Sequence, residues 1–300
     1  MAKIAVNHGL GERGSRPALS ANQQSRVLAK GQGWQVEDVI CRSGPQDHPF
    51  EEQHSHVVIA LVLAGTFQYR VSSRRRGSGE LMTPGSLLLG NAGQPFECGH
   101  EHGTGDHCLG FRYDPEYFEQ ISVDVGAKGT RGFPLARVPA IAEMSLLAAQ
   151  SAASLVKDAD ADDEFLWHEL SVRLAARVLE VASGPLAGSE NIPPSCVARV
   201  TRAVRMIDAD PVAHVSLEKL AARAGLSPYH FLRTFEQVTG ITPHQYVRRM
   251  RLRKAAARLK SERTRVLDVA MGCGFGDVSA FNRAFHAEFG TNPRAFRRQA

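Results

Sequence analysis

LEKLAARAGLSPYHFLRTFEQVTGITPHQYVRR (Leu217–Arg249) and VLDVAMGCGFGDVSAFNRAFHAEFGTNPRAFRR (Val266–Arg298) are two copies of one module. Ala221 and Gly225 match Ala270 and Gly274 at a spacing of 49. Phe231, Arg233, Phe235, Gly240, Pro243 and Tyr246 match Phe281, Arg283, Phe285, Gly290, Pro293 and Phe296 at a spacing of 50, so one extra residue has entered the second turn. Each copy has the parts of a helix-turn-helix. A small residue stands where two helices cross (Ala221, Ala270), and a glycine at the turn (Gly225, Gly274) adopts a left-handed backbone at low cost. An N-cap follows: Ser227 with Pro228 at the first helical position, or Asp277. The next helix buries a phenylalanine pair and ends at Gly240 or Gly290. With the inner side accounted for, the outer side is available for reading a partner.

Between the copies, Thr242–Lys260 reads as one long helix, capped by Thr242 with Pro243 at its start. It carries Arg248, Arg249, Arg251, Arg253, Lys254, Arg258 and Lys260. A run of charge usually marks a solvated face, but this run lies inside a strongly basic segment. Residues 191–300 hold 19 Lys+Arg against 8 Asp+Glu, a net of +11, while the other 190 residues net −6. A basic tail on an acidic body points to a polyanionic partner for the C-terminal third, and contact with phosphates is expected from some of these side chains.

The two halves, SLEKLAARAGLSPYHFLRTF and GCGFGDVSAFNRAFHAEFGTNP with its Gly-Phe-x-Asp-x-Ser-x-Phe core, resemble the DNA-binding domain of the AraC/XylS family of bacterial transcription regulators. The resemblance covers about 100 residues, Val200–Arg298. It implies two recognition helices in successive major grooves on one face of duplex DNA. Carried over, the first is Pro228–Val238. Tyr229, Leu232 and Arg233 would face bases, and Ser227, His230 and Thr234 would lie near the backbone, with Arg248 and Arg249 on phosphates. The second is Val278–Phe289, with Val278, Ser279, Asn282 and Arg283 outward. Arg233 and Arg283 suit bidentate bonding to guanine, and Asn282 suits adenine. Ala280 stands where the family commonly has a larger side chain, so weaker reading is expected from the second helix.

Residues 35–113 carry the period of strands rather than helices. Val57–Leu63 (VVIALVL), Thr66–Ser72 (TFQYRVS), SLLLGN after Pro84-Gly85, Gln94–Cys98 and His107–Tyr113 recur at roughly ten-residue spacing, as in an antiparallel barrel or double-sheet jelly roll. Ile141–Lys157 and Glu164–Ala182 then show helical spacing, with Leu166, Leu170, Leu174 and Val178 in one row. The expected class is α+β with two domains. A cupin-like antiparallel β-barrel with flanking helices precedes an all-α domain whose two helix-turn-helix motifs are joined by a long helix. The expected boundaries are a loosely ordered arm over 1–34, a sensing and dimerisation domain over 35–183, a Gly/Pro/Ser-rich linker over 184–195, and the DNA-binding domain over 196–300.

The strand-rich half resembles the cupin-like sensing domain of many family members, on His54-Ser-His56, Gly65 and Pro84-Gly85. It departs from metal-binding cupins because Ala60 and Leu61 stand where a carboxylate is expected and Leu88 stands near the position of the second-motif histidine. The resemblance therefore implies a metal-free pocket for a small-molecule effector, with His54, His56, Phe67, Tyr69 and Phe96 as candidate lining residues. An alternative rests on FECGHEHGTGDHC (Phe96–Cys108). Cys98, His100, His102, His107 and Cys108 could ligate zinc, copper or iron, or Cys98 and Cys108 could form a reversible disulfide at the base of a hairpin. The plainer reading of this stretch is a polar hairpin tip. A third class, a cupin metalloenzyme, is disfavoured by the broken motifs, and no enzymatic activity is expected.

Bulk properties bound the rest. The chain of 300 residues, 43% hydrophobic and 22% charged, suits two globular domains. No apolar run approaches the ~18 residues that cross a bilayer, and MAKIAVNHGLGERG lacks the apolar core of a secretory signal. Five irregularly spaced cysteines fit reduced thiols. A cytoplasmic homodimer is expected, pairing through the helices between Ile141 and Ala182, with DNA and an effector as partners and RNA polymerase as a further one if the protein activates.

Overall fold

The computed structural model describes residues 22–71, 79–127, 130–155, 163–183, 192–213 and 216–298. The strand-rich half runs β1 (Gln23–Gly31), β2 (Trp34–Cys41), β3 (Phe50–Gln53), β4 (Val57–Gly65), β5 (Phe67–Val71), β6 (Glu80–Met82), β7 (Leu87–Gly90), β8 (Pro95–Gly99) and β9 (Asp106–Tyr113). Then follow α1 (Pro115–Asp124), β10 (Arg137–Val138), α2 (Ala142–Ser154) and α3 (Asp163–Ala182). The second half is helical: α4 (Pro194–Ala209), α5 (Leu217–Ala224), α6 (Pro228–Thr239), α7 (Pro243–Ser261), α8 (Val266–Gly272), α9 (Val278–Phe289) and α10 (Pro293–Arg298).

The strands form two antiparallel sheets, β1-β2-β9-β4-β7-β10 and β3-β8-β5-β6, so of the expected barrel or double-sheet jelly roll it is the double-sheet form that appears, without closure. β4 shows why VVIALVL is apolar without a break: both of its faces are covered. Val57, Ile59 and Leu61 point into a core shared with Trp167, Leu170, Leu174 and Val178 of α3. Val58 and Val62 point the other way, toward Phe67, Tyr69 and Phe96 of the facing sheet.

Two expectations change here. The arm expected over 1–34 includes strand β1, hydrogen-bonded along its length to β2. QQSRVLAKG hides this because β1 is a largely exposed edge strand with little apolar alternation. The expected hairpin over Phe96–Cys108 is also absent. β8 pairs with β3 and β5, and β9 pairs with β2 and β4, so residues 100–105 cross from one sheet to the other. Cys98 and Cys108 are free thiols on opposite sheets. Residues 1–21 of the arm and 184–191 of the expected linker lie outside the described residues.

In the helical half, α4–α6 bury Val200, Val204, Ile207, Phe231 and Phe235 together, and α7–α10 bury Leu252, Leu259, Phe281, Phe285 and Phe296. Gly225 closes α5 at φ 65°, a left-handed turn that directs the chain into α6. The side chains of Ser227 and Asp277 accept hydrogen bonds from the backbone N–H of His230 and Ala280, so both N-caps form as read from the sequence. Thr242 and Gln245 close a full capping box on α7.

Asp208 of α4 sits where α4 meets α7 and accepts a 2.9 Å hydrogen bond from the Tyr246 hydroxyl. Burial raises its carboxyl to about 7, against the opposing pull of Tyr246 and Arg253. The fold therefore holds a proton that the unfolded chain binds only below about pH 4, and the stability this brings is complete there and lost as pH rises through about 7. Asp208→Asn is expected to flatten the fall in urea midpoint from about pH 5 to about 8. A variant whose pH profile overlays the wild type would contradict this.

Candidate DNA-reading face and sensing cavity

α6 and α9 present matched outer faces. Phe231 and Phe235 on α6, and Phe281 and Phe285 on α9, are fully buried. The opposite sides leave Tyr229 (63% accessible), His230, Arg233, Ser279, Asn282 and Arg283 exposed. Leu232, Thr234 and Val278 are half-buried at the margins. Ser227 Oγ lies 2.8 Å from His230 Nδ1 as well as capping α6, so its hydroxyl already serves the helix end.

The basic helix α7 is used differently from what its charge suggests. Arg251 donates to the carbonyls of Pro211 (2.7 Å), Gly274 (3.0 Å) and Ala213 (3.2 Å), tying the loop before α5 to the turn before α9. Arg258 makes two 2.9 Å bonds to Glu262. Lys260 donates to the Phe296 carbonyl at 2.7 Å and lies over its ring. Arg253 donates to the carbonyl of Pro84, in the strand-rich half, at 2.6 Å. Arg249, expected on phosphate, instead donates to the Ala140 carbonyl at 2.6 Å and pairs with Glu288 at 3.2 Å, both partners being mostly buried. Arg248 and Lys254 are the α7 cations that stay exposed.

A seam therefore joins the halves. α2 lies against α7 and α9, with Leu146 and Ala149 against the second module's core and the Ser145 hydroxyl bonded to Glu288. Arg137 pairs with Glu80 and donates to the Thr239 carbonyl at the end of α6, each at 3.0 Å. Arg205 of α4 donates to the carbonyl of His102 in the crossing loop at 3.0 Å. Of the helices expected to pair two copies, α2 is occupied by this seam, while α3 leaves Phe165 76% accessible.

Between the two sheets lies a cavity of about 110 Å³. Val39, Val58, Ala60, Phe67, Leu88 and Phe96 supply apolar walls. One end carries Glu37, Glu52, His54 and Arg112, with Arg112 paired to Glu37 at 3.0 Å. His54 Nε2 lies 2.8 Å from the Tyr69 hydroxyl, and its ring stacks on Phe96 at 4.0 Å. Burial, aided by Arg112, pushes its pKa down to about 3, so it is a neutral hydrogen-bonding group at physiological pH.

The other end carries Cys41, Cys98, His100, Asp106 and Cys108. His100 Nε2 is 2.6 Å from Asp106 Oδ2, and Cys108 Sγ donates to Asp106 Oδ1 at 3.2 Å. Burial opposes charge on His100, but Asp106 and Cys41 outweigh it and raise its pKa to about 9. Burial raises the Cys41 thiol, yet bonds to His100 and Ser43 bring it below its ordinary value. Burial drives Cys98 and Cys108 well up.

A profile of the AraC-like ligand binding domain matches residues 37–170, and one of the helix-turn-helix domain matches residues 220–299. The probable transcription factor PqrA of Proteus vulgaris is 35% identical over 83 residues, covering 28% of this chain and 68% of that protein. The chain belongs to the AraC/XylS family. The HTH-type transcriptional activator RhaS of Escherichia fergusonii is 34% identical over 137 residues, 46% of each protein. The DNA-binding domain of AdpA, solved with a target DNA, is 30% identical with a TM-score of 0.33, covering 34% of this chain and 91% of that one. The chain spans 46% or less of the length of the RhaS and Rob relatives it matches. No helix among the described residues is long and apolar enough to cross a membrane.

Within this AraC/XylS architecture the expected pocket residues divide. His54, Phe67 and Phe96 line the cavity, and Tyr69 stands behind His54. His56 does not line it. Residues 54–56 form the bend between β3 and β4, so the two-residue alternation breaks, and His56 pairs outside with Asp114 at 3.4 Å. Of the expected metal ligands, His107 faces away and bonds Asp38 at 2.6 Å, and His102 lies 3.9 Å from Glu101. Cys41, Asp106, Glu37, Glu52 and Arg112 escaped the sequence reading, since only strand register brings them to the cavity.

The two kinds of arginine on α7 should separate in unfolding experiments. Arg251→Ala strands several carbonyls and is expected to cost about 2–4 kcal/mol. Arg248→Ala should change stability by no more than about 0.5 kcal/mol. Urea titration of both variants checks this, and equal losses would contradict the assignment.

Proposed function

We propose that the protein is a sequence-specific DNA-binding transcription regulator, with α6 and α9 entering the major groove and the intersheet cavity holding a small-molecule effector. The carrying observation is the pair of equivalently capped helices, each turning two phenylalanines inward and leaving an arginine at the matching outward position, Arg233 and Arg283. Arg233 and Arg283 suit guanine, Asn282 suits adenine, and Tyr229, Leu232, Val278 and Ser279 complete the base-facing set. His230, Thr234, Ser227 and the exposed Arg248 and Lys254 suit the phosphate backbone. Arg249 is left out of this set because its guanidinium is engaged with Glu288 and Ala140.

The effector, held by His54, Arg112, Glu37 and Glu52 against an apolar wall, acts by changing how the seam holds α6 and α9. The action is binding rather than catalysis, in the cytoplasm. A second copy pairs through the exposed side of α3 around Phe165, and RNA polymerase is the further partner if the outcome is activation.

The test uses a duplex enriched by the wild-type chain from a random-sequence pool. In a mobility-shift assay, Arg233→Ala and Arg283→Ala are each expected to cost about 1–3 kcal/mol and to relax preference at one or two positions. Wild-type affinity and preference in both variants would overturn the reading.

A further inference from the structure

We propose that Cys41, His100 and Asp106, with Cys108 as the fourth donor, form a binding site for one Zn(II) ion at the crossing-loop end of the cavity. The convergence is built by the backbone. In the β2–β9 ladder Cys41 stands directly opposite Asp106, and Cys108, two residues further along β9 beside Val39, shares that inner face. His100 lies just beyond β8 of the other sheet. One donor atom each from Cys41, His100 and Asp106 lies within 4.8 Å of the others. Cys108 Sγ is 3.2 Å from Asp106 Oδ1. Tetrahedral zinc with bonds of about 2.0–2.3 Å needs donors about 3.3–3.8 Å apart. Side-chain rotation brings Cys41, His100 and Asp106 to that spacing, the 2.6 Å His100–Asp106 contact opening as the wider ones close, while Cys108, outside this 4.8 Å group, swings further to complete the set.

The donor set selects the ion. Two sulfurs, an imidazole and a carboxylate suit a borderline-soft cation, whereas magnesium and calcium require oxygen donors almost throughout. All four side chains are buried, so an ion here is shielded from competing water. Binding turns each thiol into a thiolate and displaces the proton shared by His100 and Asp106, and these protons leave to solvent. The ion takes no part in redox chemistry, and nothing else is consumed. Because His100 comes from the crossing loop and the other donors from the six-stranded sheet, the ion braces one sheet against the other.

The same loop reaches the DNA-binding half. Two residues beyond His100, the carbonyl of His102 accepts the bond from Arg205 of α4, and Thr201 of α4 flanks the small cleft beside Gly99–Gly103. Zinc binding therefore biases the contact between the loop and the first helix-turn-helix module. This coupling, unlike the site itself, rests on the regulatory function proposed above.

The experiment uses full-length protein without a histidine tag, stripped with chelator under reducing conditions and titrated with Co(II), then with Zn(II) in competition. The expected result is one Co(II) per chain with a near-ultraviolet thiolate-to-cobalt band, displaced by Zn(II). Cys41→Ser and His100→Asn should each weaken binding about tenfold or more, while Cys196→Ser and His102→Ala/His107→Ala leave it unchanged. The wild-type titration is independent of any variant's folding, and its failure to show a stoichiometric thiolate-bound ion overturns the site. So does loss of binding in His102→Ala/His107→Ala with Cys41→Ser unaffected. Mobility shifts with and without Zn(II) read the coupling. Altered DNA affinity supports it, unaltered affinity with zinc bound removes the coupling and leaves the site, and failure to bind DNA in either state removes the regulatory reading alone.

Discussion

The spacing of the two helix-turn-helix modules depends on guanidinium groups seated in backbone carbonyls. Arg251 bonds carbonyls that belong to the loop before α5 and to the turn before α9, so one side chain references both modules to α7. Two motifs can read one duplex only if their recognition helices keep a fixed separation along it. Phenylalanine cores hold each module together internally, but they are two separate cores. A planar, permanently charged donor fork suits the joint between them, because it satisfies several fixed acceptors at once.

The same chemistry extends to the seam. Arg249 and Arg253 on α7, with Arg137 and Arg205 on neighbouring elements, each donate to a carbonyl across the boundary between the halves. Gly85 shows how close the approach is. It follows Pro84 at φ 83°, and a Cβ there would collide with the Arg253 guanidinium. Apolar contact across the boundary is modest by comparison, with Leu81 and Ala140 reaching the first module's core and Leu146 and Ala149 reaching the second's. Directional polar contacts with a small apolar share are typical of boundaries between domains that rearrange.

Much of this is legible in the sequence. The repeat placed α5–α6 and α8–α9 to within a residue or two, because caps and buried phenylalanines are local signals. The strand-rich first half and helical second half follow from the switch in period after residue 113 together with the flip in charge near residue 191. What stayed hidden depends on pairing across distance. No local pattern tells an arginine that meets phosphate from one that meets a carbonyl more than 100 residues away, as Arg249 and Arg253 do. Likewise, the histidines of the Phe96–Cys108 stretch look equivalent in sequence, yet register sends His107 outward and leaves His100 inside with Cys41, a residue far upstream. The edge strand β1 buries little, so its sequence carries little apolar alternation to mark it.

The seam grips the two recognition helices unequally. α9 is held along its flank by α2 and through Glu288. α6 is held chiefly at its final turn, where Arg137 caps the Thr239 carbonyl. The strand-rich half thus clamps α9 along a flank and meets α6 at one end. The protein is mechanically lopsided, with one helix braced along its side by the strand-rich half and the other met at its heel, an asymmetry laid over a spacing that Arg251 holds.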